Sequence, residues 1–467
     1  MISRSALSRS AQQAARRSSG VSRRGFAATA AAAAAAASPT GSYETADING
    51  LKVASKDGRG PTTTLAVVAK AGTRYQPLPG LTYGLEQFAF KARAHRGHAR
   101  RSALRIARES ELLGGQLAAS HTREALVIEA SFLRDDLPYF AELLAEVVSQ
   151  TKYTTHEFHE EIERVLPYKK AAVNADVAGL ALDNAHAVAF HSGLGAALNP
   201  SASAPFQKYV NEEYVASFAD VVYSKPNIAV VADGAGAQSL SKWVDQFFKG
   251  VPAAARSGQT LKTEASKYFG GEQRTSHTAG NSVVIAFPGS DGAGSKPEIE
   301  VLATLLGGQP TIKWAPGFSL LSKAAAGTPS LSIASSNQAY SDAGLLTIQL
   351  TGAAASVRKA AEETVKALKS IAAGSVSKED VAKAVANAKF NLLEKAQTRG
   401  SSVLLAGTGL VHSGKVQDLA ALTKSLDAVS AEKLKTTAKT LLDGKATVST
   451  VGDLFVLPYA EELGLRV

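Results

Sequence analysis

Gly80-Leu81-Thr82-Tyr83-Gly84-Leu85-Glu86-Gln87-Phe88-Ala89-Phe90-Lys91 is an apolar segment with a narrow polar side. Leu85, Phe88 and Phe90 supply packing contacts for a helix, and Tyr83, Glu86 and Gln87 are its polar groups. Just upstream, Ala71-Gly72-Thr73-Arg74-Tyr75 ends a strand-like run. Further back, Ile48 to Ala54 and Thr63 to Ala69 alternate or run apolar, and the Asp57-Gly58-Arg59-Gly60 turn between them predicts a hairpin.

Downstream, Lys91 to Arg108 holds seven basic residues, two histidines and no acid, the pattern of a solvated basic face. Ser102 is the expected N-cap of a short helix that stops at Gly114-Gly115. Strands follow at Gln116 to Ala119 and Ala125 to Leu133. Asp135 to Ser149 places Leu137, Phe140, Leu143, Leu144 and Val147 at helical spacing. Thr155 opens a longer helix in which His156 and His159 share a face beside Glu157 and Glu160. That arrangement, His-Glu-Phe-His-Glu, lacks the spacing of a zinc-helix motif and a third ligand, so it reads as an exposed polar face. Asn211 caps a helix ending near Val222, Ile228 to Ala232 is a strand, and Gln238 to Phe248 is a helix.

At 467 residues with 45% hydrophobic content, the chain has room for more than one packed domain. It contains no cysteine, which excludes disulfides, thiolate metal sites, cysteine nucleophiles and iron–sulfur ligation. The formal charge of +10 is concentrated at one end: residues 1–43 carry six arginines, many serines and alanines, and no acid. This is the composition of a mitochondrial transit peptide, with Arg23-Arg24-Gly25-Phe26-Ala27 as the expected processing region and Ala30 to Ala37 as a spacer. Without it about +4 remains, too little to mark a nucleic-acid-binding protein. No run approaches the ~20 apolar residues that cross a bilayer, so membrane contact is expected through partners.

The second half repeats the first. Leu126 in Ala-Leu-Val-Ile-Glu and Leu346 in Leu-Leu-Thr-Ile-Gln are 220 residues apart, as are Lys225-Pro226-Asn227-Ile228 and Lys445-Ala446-Thr447-Val448, while Thr155-His156-Glu157 and Ser377-Lys378-Glu379 are 222 apart. The expected architecture is α+β: two homologous domains, each a mixed β-sheet with helices packed on one face. The domains are expected at 44–250 and 267–467, joined by a linker at 251–266 that is rich in Ala, Gly, Pro and Ser.

The segments around Arg74 and Glu86 resemble the strand end and zinc helix of the pitrilysin and mitochondrial processing peptidase family, whose inverted motif is H-x-x-E-H. Gln338-Ala339-Tyr340-Ser341-Asp342-Ala343-Gly344-Leu345-Leu346 is similar to a Y-x-D-x-G-L-F segment of the same family. Where the family has its two histidines, this chain has Tyr83 and Gln87, and only Glu86 keeps its type. The third ligand position falls at Glu163 or Tyr168, depending on the alignment. Catalytic zinc takes three protein ligands and lowers the pKa of a bound water, and a lone carboxylate does neither. The resemblance therefore implies no catalytic residue, no metal and no cofactor.

Family members without a complete zinc triplet are the α subunit of the processing peptidase and the two large core proteins of ubiquinol–cytochrome c reductase. The α subunit has a long glycine-rich loop; at the matching place Leu306 to Gly317 this chain has glycine only at 307, 308 and 317. The ending, Gly452-Asp453-Leu454-Phe455 through Glu462-Leu463, resembles one of the core proteins. That resemblance implies a non-catalytic scaffold on the matrix side of the mitochondrial inner membrane, with core protein 1, cytochrome b and other complex III subunits as partners in a dimeric complex.

Overall fold

A computed structural model describes residues 42–90, 100–200, 210–261, 263–308, 317–325, 328 and 330–467. The arginine-rich leader up to residue 41, residues 91–99 of the basic stretch and residues 309–316 of the degenerate glycine loop lie outside these residues.

Strands β1 (Glu44–Ile48) and β2 (Leu51–Lys56) form a two-residue hairpin through Asn49 and Gly50, whose φ values of 54° and 81° provide the left-handed pair such a turn needs. The next strand, β3 (Thr62–Ala69), does not pair with β2, so the hairpin expected across Asp57–Gly60 does not form. Strand β6 (Ile228–Asp233) lies between them, parallel to β2 and antiparallel to β3. All six β6 residues are buried, and a strand apolar on both faces belongs in the sheet interior. With β4 (Gln116–His121) and β5 (Leu126–Leu133), the sheet order is β1-β2-β6-β3-β5-β4.

Among the described residues this half has the helices α1 (Leu81–Phe90), α2 (Ala103–Leu112), α3 (Leu137–Gln150), α4 (Leu166–Ala175), α5 (Val177–Phe190), α6 (Glu212–Val222) and α7 (Ala237–Phe247). Ser102 and Asn211 cap α2 and α6 by accepting the N–H groups of Arg105 and Tyr214. The helix expected from Thr155 is broken into a single turn (Thr155–Glu157), a wide π turn (Phe158–Glu163) and α4. Pro167 has no N–H to continue the preceding turn, so α4 restarts there.

In the second half come β7 (Gly271–Ser276), β8 (Asn281–Pro288), α8 (Pro297–Leu306), α9 (Leu320–Ala325), β9 (Ser332–Ala339), β10 (Gly344–Gly352), α10 (Ala354–Ala373), α11 (Lys378–Gln397), α12 (Arg399–His412), α13 (Leu419–Asp427), α14 (Ala431–Asp443) and β11 (Thr447–Gly452). The order β7-β11-β8-β10-β9 reproduces β2-β6-β3-β5-β4. Ile128 pairs with Val67 and Ala119, and Ile348 pairs with Ile285 and Ser335, so residues 220 apart occupy equivalent places in the two sheets.

Each half packs its own helices on one face of its sheet. Phe88, Phe140 and Phe218 cover Leu65 and Val67 in the first half, and Leu302, Ala361 and Leu434 cover Ile285 and Ile348 in the second. Alternate residues of a strand point to opposite faces, so the remaining faces, also apolar, need a second cover. Each half obtains it from the other. Val403, Ala406, Leu410 and Val411 of α12 pack on Ala66, Val68, Val127 and Val231 of the first sheet. Val177, Ala181, Ala185 and Ala189 of α5 pack on Val284, Ala286, Leu345 and Val451 of the second.

Candidate functional site

Helix α1, which carries Tyr83, Glu86 and Gln87, packs against β4 and α6. Tyr83 is 2% exposed and belongs to the hydrophobic core; burial, with the Glu86 charge adding to it, pushes its phenol up to about 12. A neutral phenol in that setting is a packing group. Gln87 donates its amide N–H to Glu86 Oε1 at 3.3 Å.

Glu86 faces His121 Nδ1 at the end of β4. His121 Nε2 donates to the Leu198 carbonyl at 2.7 Å. Arg123, two residues along the chain, holds the segment bearing Leu198 by donating to the carbonyls of Leu194 and Ala196 and to Asp183 of α5. Burial raises the Asp183 carboxyl, opposed by the Arg123 charge. Glu86 is thus held by an imidazole that is itself anchored by the backbone. His121 lies 35 residues from Glu86, and no local spacing links the two before the strands assemble.

Glu163 sits in the π turn and pairs with His159 on the same segment, while Tyr168 on α4 is 77% exposed. His156 pairs with Glu160, and both histidines of this segment are mostly exposed. Among the described residues no cluster of three or more His, Asp or Glu side chains has the geometry to hold a metal ion.

The two segments with family likeness are brought together at the junction of the halves. Arg74 donates to Glu124 Oε1 at 2.7 Å and to both oxygens of Asp342 at 2.7 and 2.6 Å, with its side chain only 4% exposed. The Ser341 N–H and hydroxyl donate to Glu124 at 2.8 and 2.6 Å, and the Ser266 N–H donates to Asp342 at 2.8 Å. Burial pushes the Asp342 carboxyl up, but its hydrogen bonds from Arg74 and Ser266 outweigh this and hold it below the usual range. Tyr340 donates to His186 Nε2 at 2.8 Å, and His186 Nδ1 donates to the Leu182 carbonyl. Burial, with the Arg123 charge, pushes this imidazole down to about 3. The junction is a load of charge and hydrogen bonds that clamps one half to the other.

Two halves of one topology, each built on a mixed sheet with helices packed against it, define a duplicated α+β architecture. Residues 52–200 match the Insulinase (Peptidase family M16) family, and residues 209–388 match the Peptidase M16 inactive domain. The chain belongs to peptidase family M16. It is 59% identical over 469 residues to the mitochondrial cytochrome b-c1 complex subunit 2 of Neurospora crassa, covering 100% of both chains. It is 37% identical to the protein of the same name from Cryptococcus neoformans, over 90% of this chain and 94% of that one. The mitochondrial-processing peptidase subunit alpha of Solanum tuberosum is 26% identical over 92% of this chain and 85% of its own length.

Proposed function

We propose that this chain is a non-catalytic core subunit of the mitochondrial cytochrome b-c1 complex, respiratory complex III, with a structural and assembly role. The observation that carries the reading is full-length similarity at 59% identity to a protein named as subunit 2 of that complex. The residue chemistry supports this reading: Tyr83 is a core residue, Gln87 is an amide and Glu86 faces His121, a set without the three ligands that a catalytic zinc takes. None of the helices among the described residues is long and apolar enough to cross a membrane. Attachment to the inner membrane from the matrix side, through core protein 1, cytochrome b and other subunits of a dimeric complex, follows from this reading. The arginine-rich, acid-free residues 1–43 supply the mitochondrial address.

The 26% likeness to a processing-peptidase α subunit makes presequence binding the second reading. Deleting the gene and measuring ubiquinol–cytochrome c reductase activity in isolated mitochondria separates the two. Loss of that activity with normal presequence cleavage is expected. Normal activity with blocked cleavage would transfer the assignment to the processing peptidase.

A further inference from the structure

Helix α11 buries one side, where Val381, Ala384 and Ala388 enter the core of the second half. The helical period puts an apolar stripe of Ala382, Ala386, Phe390 and Leu393 on the opposite side, with Phe390 61% and Leu393 49% exposed. Alanines hold the first half of this stripe and large side chains the second. A second copy laid antiparallel across it, with the two-fold axis beside Ala388, sets Leu393 on Ala382 and Phe390 on Ala386. Large thus meets small, and does so twice, because a two-fold contact is the same from both chains. The same axis sets Lys383 against Glu394 and Glu379 against the Gln397 amide, and all four are exposed. The four pairs share one centre to within one residue, so a single register satisfies all of them. Lys389, the cation nearest the axis, is tied to Asp427 of α13. Within one chain Lys383 and Glu394 are separated by three helical turns, roughly 16 Å, too far to pair. Acid and base alternate along this margin, which neither an anionic lipid surface nor a partner of one charge would match. A second copy gives each charge its opposite.

We propose that two copies of this chain meet through α11, packed antiparallel about a two-fold axis at Ala388. One pair of 20-residue helices lies at the lower limit of a stable interface, about 1,200 Å², so the contact joins copies that a larger assembly already holds together. The inference rests on the reading of the chain as a subunit of a dimeric complex, and deepens it by naming where the copies touch.

The chain has no cysteine, so the only thiols it carries in the test are the introduced ones. Two differently tagged forms, one Ala386→Cys and one Phe390→Cys, are expressed together in cells lacking the native gene, and their mitochondria are oxidised with copper–phenanthroline. A disulfide-linked dimer carrying both tags is expected, whereas two forms with Lys366→Cys, an exposed position on α10, should stay unlinked. In the cysteine background of α11, Lys383→Glu or Glu394→Lys alone should lower the linked fraction roughly threefold, and both together in each chain should restore it. Restoration requires a second copy, since the two residues do not reach each other within one chain. The substituted side chains stand outside the core, so the purified variants should melt with the wild type, which separates pairing from folding. No linked dimer, a disulfide to a different subunit, or a charge-swapped double variant no better than the single ones would overturn the proposal while leaving the complex III reading intact. Normal reductase activity in the empty deletion strain would instead defeat that reading.

Discussion

Gly407→Ala tests the exchange of helices at its tightest point. A methyl group on Gly407 of α12 would lie 2.3 Å from Cγ2 and 2.8 Å from Cβ of Val68, against the ~3.5–4.0 Å of a relaxed carbon contact. Val68 is fully buried in β3 and bracketed by Val127 and Ala229 on the neighbouring strands, so the sheet cannot yield and the helix must lift by roughly 1 Å. Such a gap forfeits about a quarter to a half of each contact. Val403, Leu410 and Val411 contribute roughly 2 kcal/mol each on that face, which makes the loss about 1.5–3 kcal/mol. Alanine's better helix propensity returns about 1 kcal/mol, leaving a net destabilisation of about 0.5–2 kcal/mol. Gly400, on the same helix, has no atom within 4 Å of its would-be Cβ, so Gly400→Ala keeps the propensity gain alone. Urea unfolding of the purified chain, followed by circular dichroism, should therefore move in opposite directions for the two variants. Equal stabilisation by both would refute the close seating of α12 on the first sheet.

At the junction, Arg74→Ala leaves Glu124 and Asp342 facing each other without their shared cation and should cost about 3–5 kcal/mol. Asp342→Ala leaves Arg74 beside Glu124 and should cost about 1.5–3 kcal/mol, so urea midpoints in the reverse order would contradict the clamp. His186 gives the stability a slope with pH. Its folded pKa, about 3, lies below the unfolded value near 6.5, so its contribution is complete above about pH 6.5 and is lost as pH falls toward 3. Between pH 6.5 and 5 the wild type should lose about 2 kcal/mol from this group, and His186→Gln should remove that slope whatever its effect at pH 7. An unchanged slope in the variant would place the acid sensitivity elsewhere. Finally, metal analysis of the mature chain should find far less than one zinc per molecule, and presequence peptides should stay uncut. About one zinc per chain, lost on Glu86→Gln, would mean that the helix does bind metal.

Much of this was legible along the chain. Strands and helices were marked by their hydrophobic period, caps such as Ser102 and Asn211 by their side chains, and the doubled architecture by the 220-residue offset. The residue types at positions 83, 86 and 87 were legible too, because they are read directly from the chain. The Asn49-Gly50 hairpin carried a readable turn signal, but the connection at Asp57–Gly60 looked like one as well. The choice between them depended on β6, some 170 residues away, whose two apolar faces drive it between β2 and β3.

By itself the sequence determined the residue chemistry and the local periods: which segments could be strands or helices, that the halves repeat, and that no histidine pair stands on α1. Only tertiary structure decided the pairing of Glu86 with His121, the clamp of Arg74 on Glu124 and Asp342, and the loan of α5 and α12 across the halves. These depend on contacts between residues 35 to 350 positions apart in the chain. Such contacts arise because each sheet exposes a second apolar face that its own helices do not cover, and burying that face is favourable whichever segment supplies the cover.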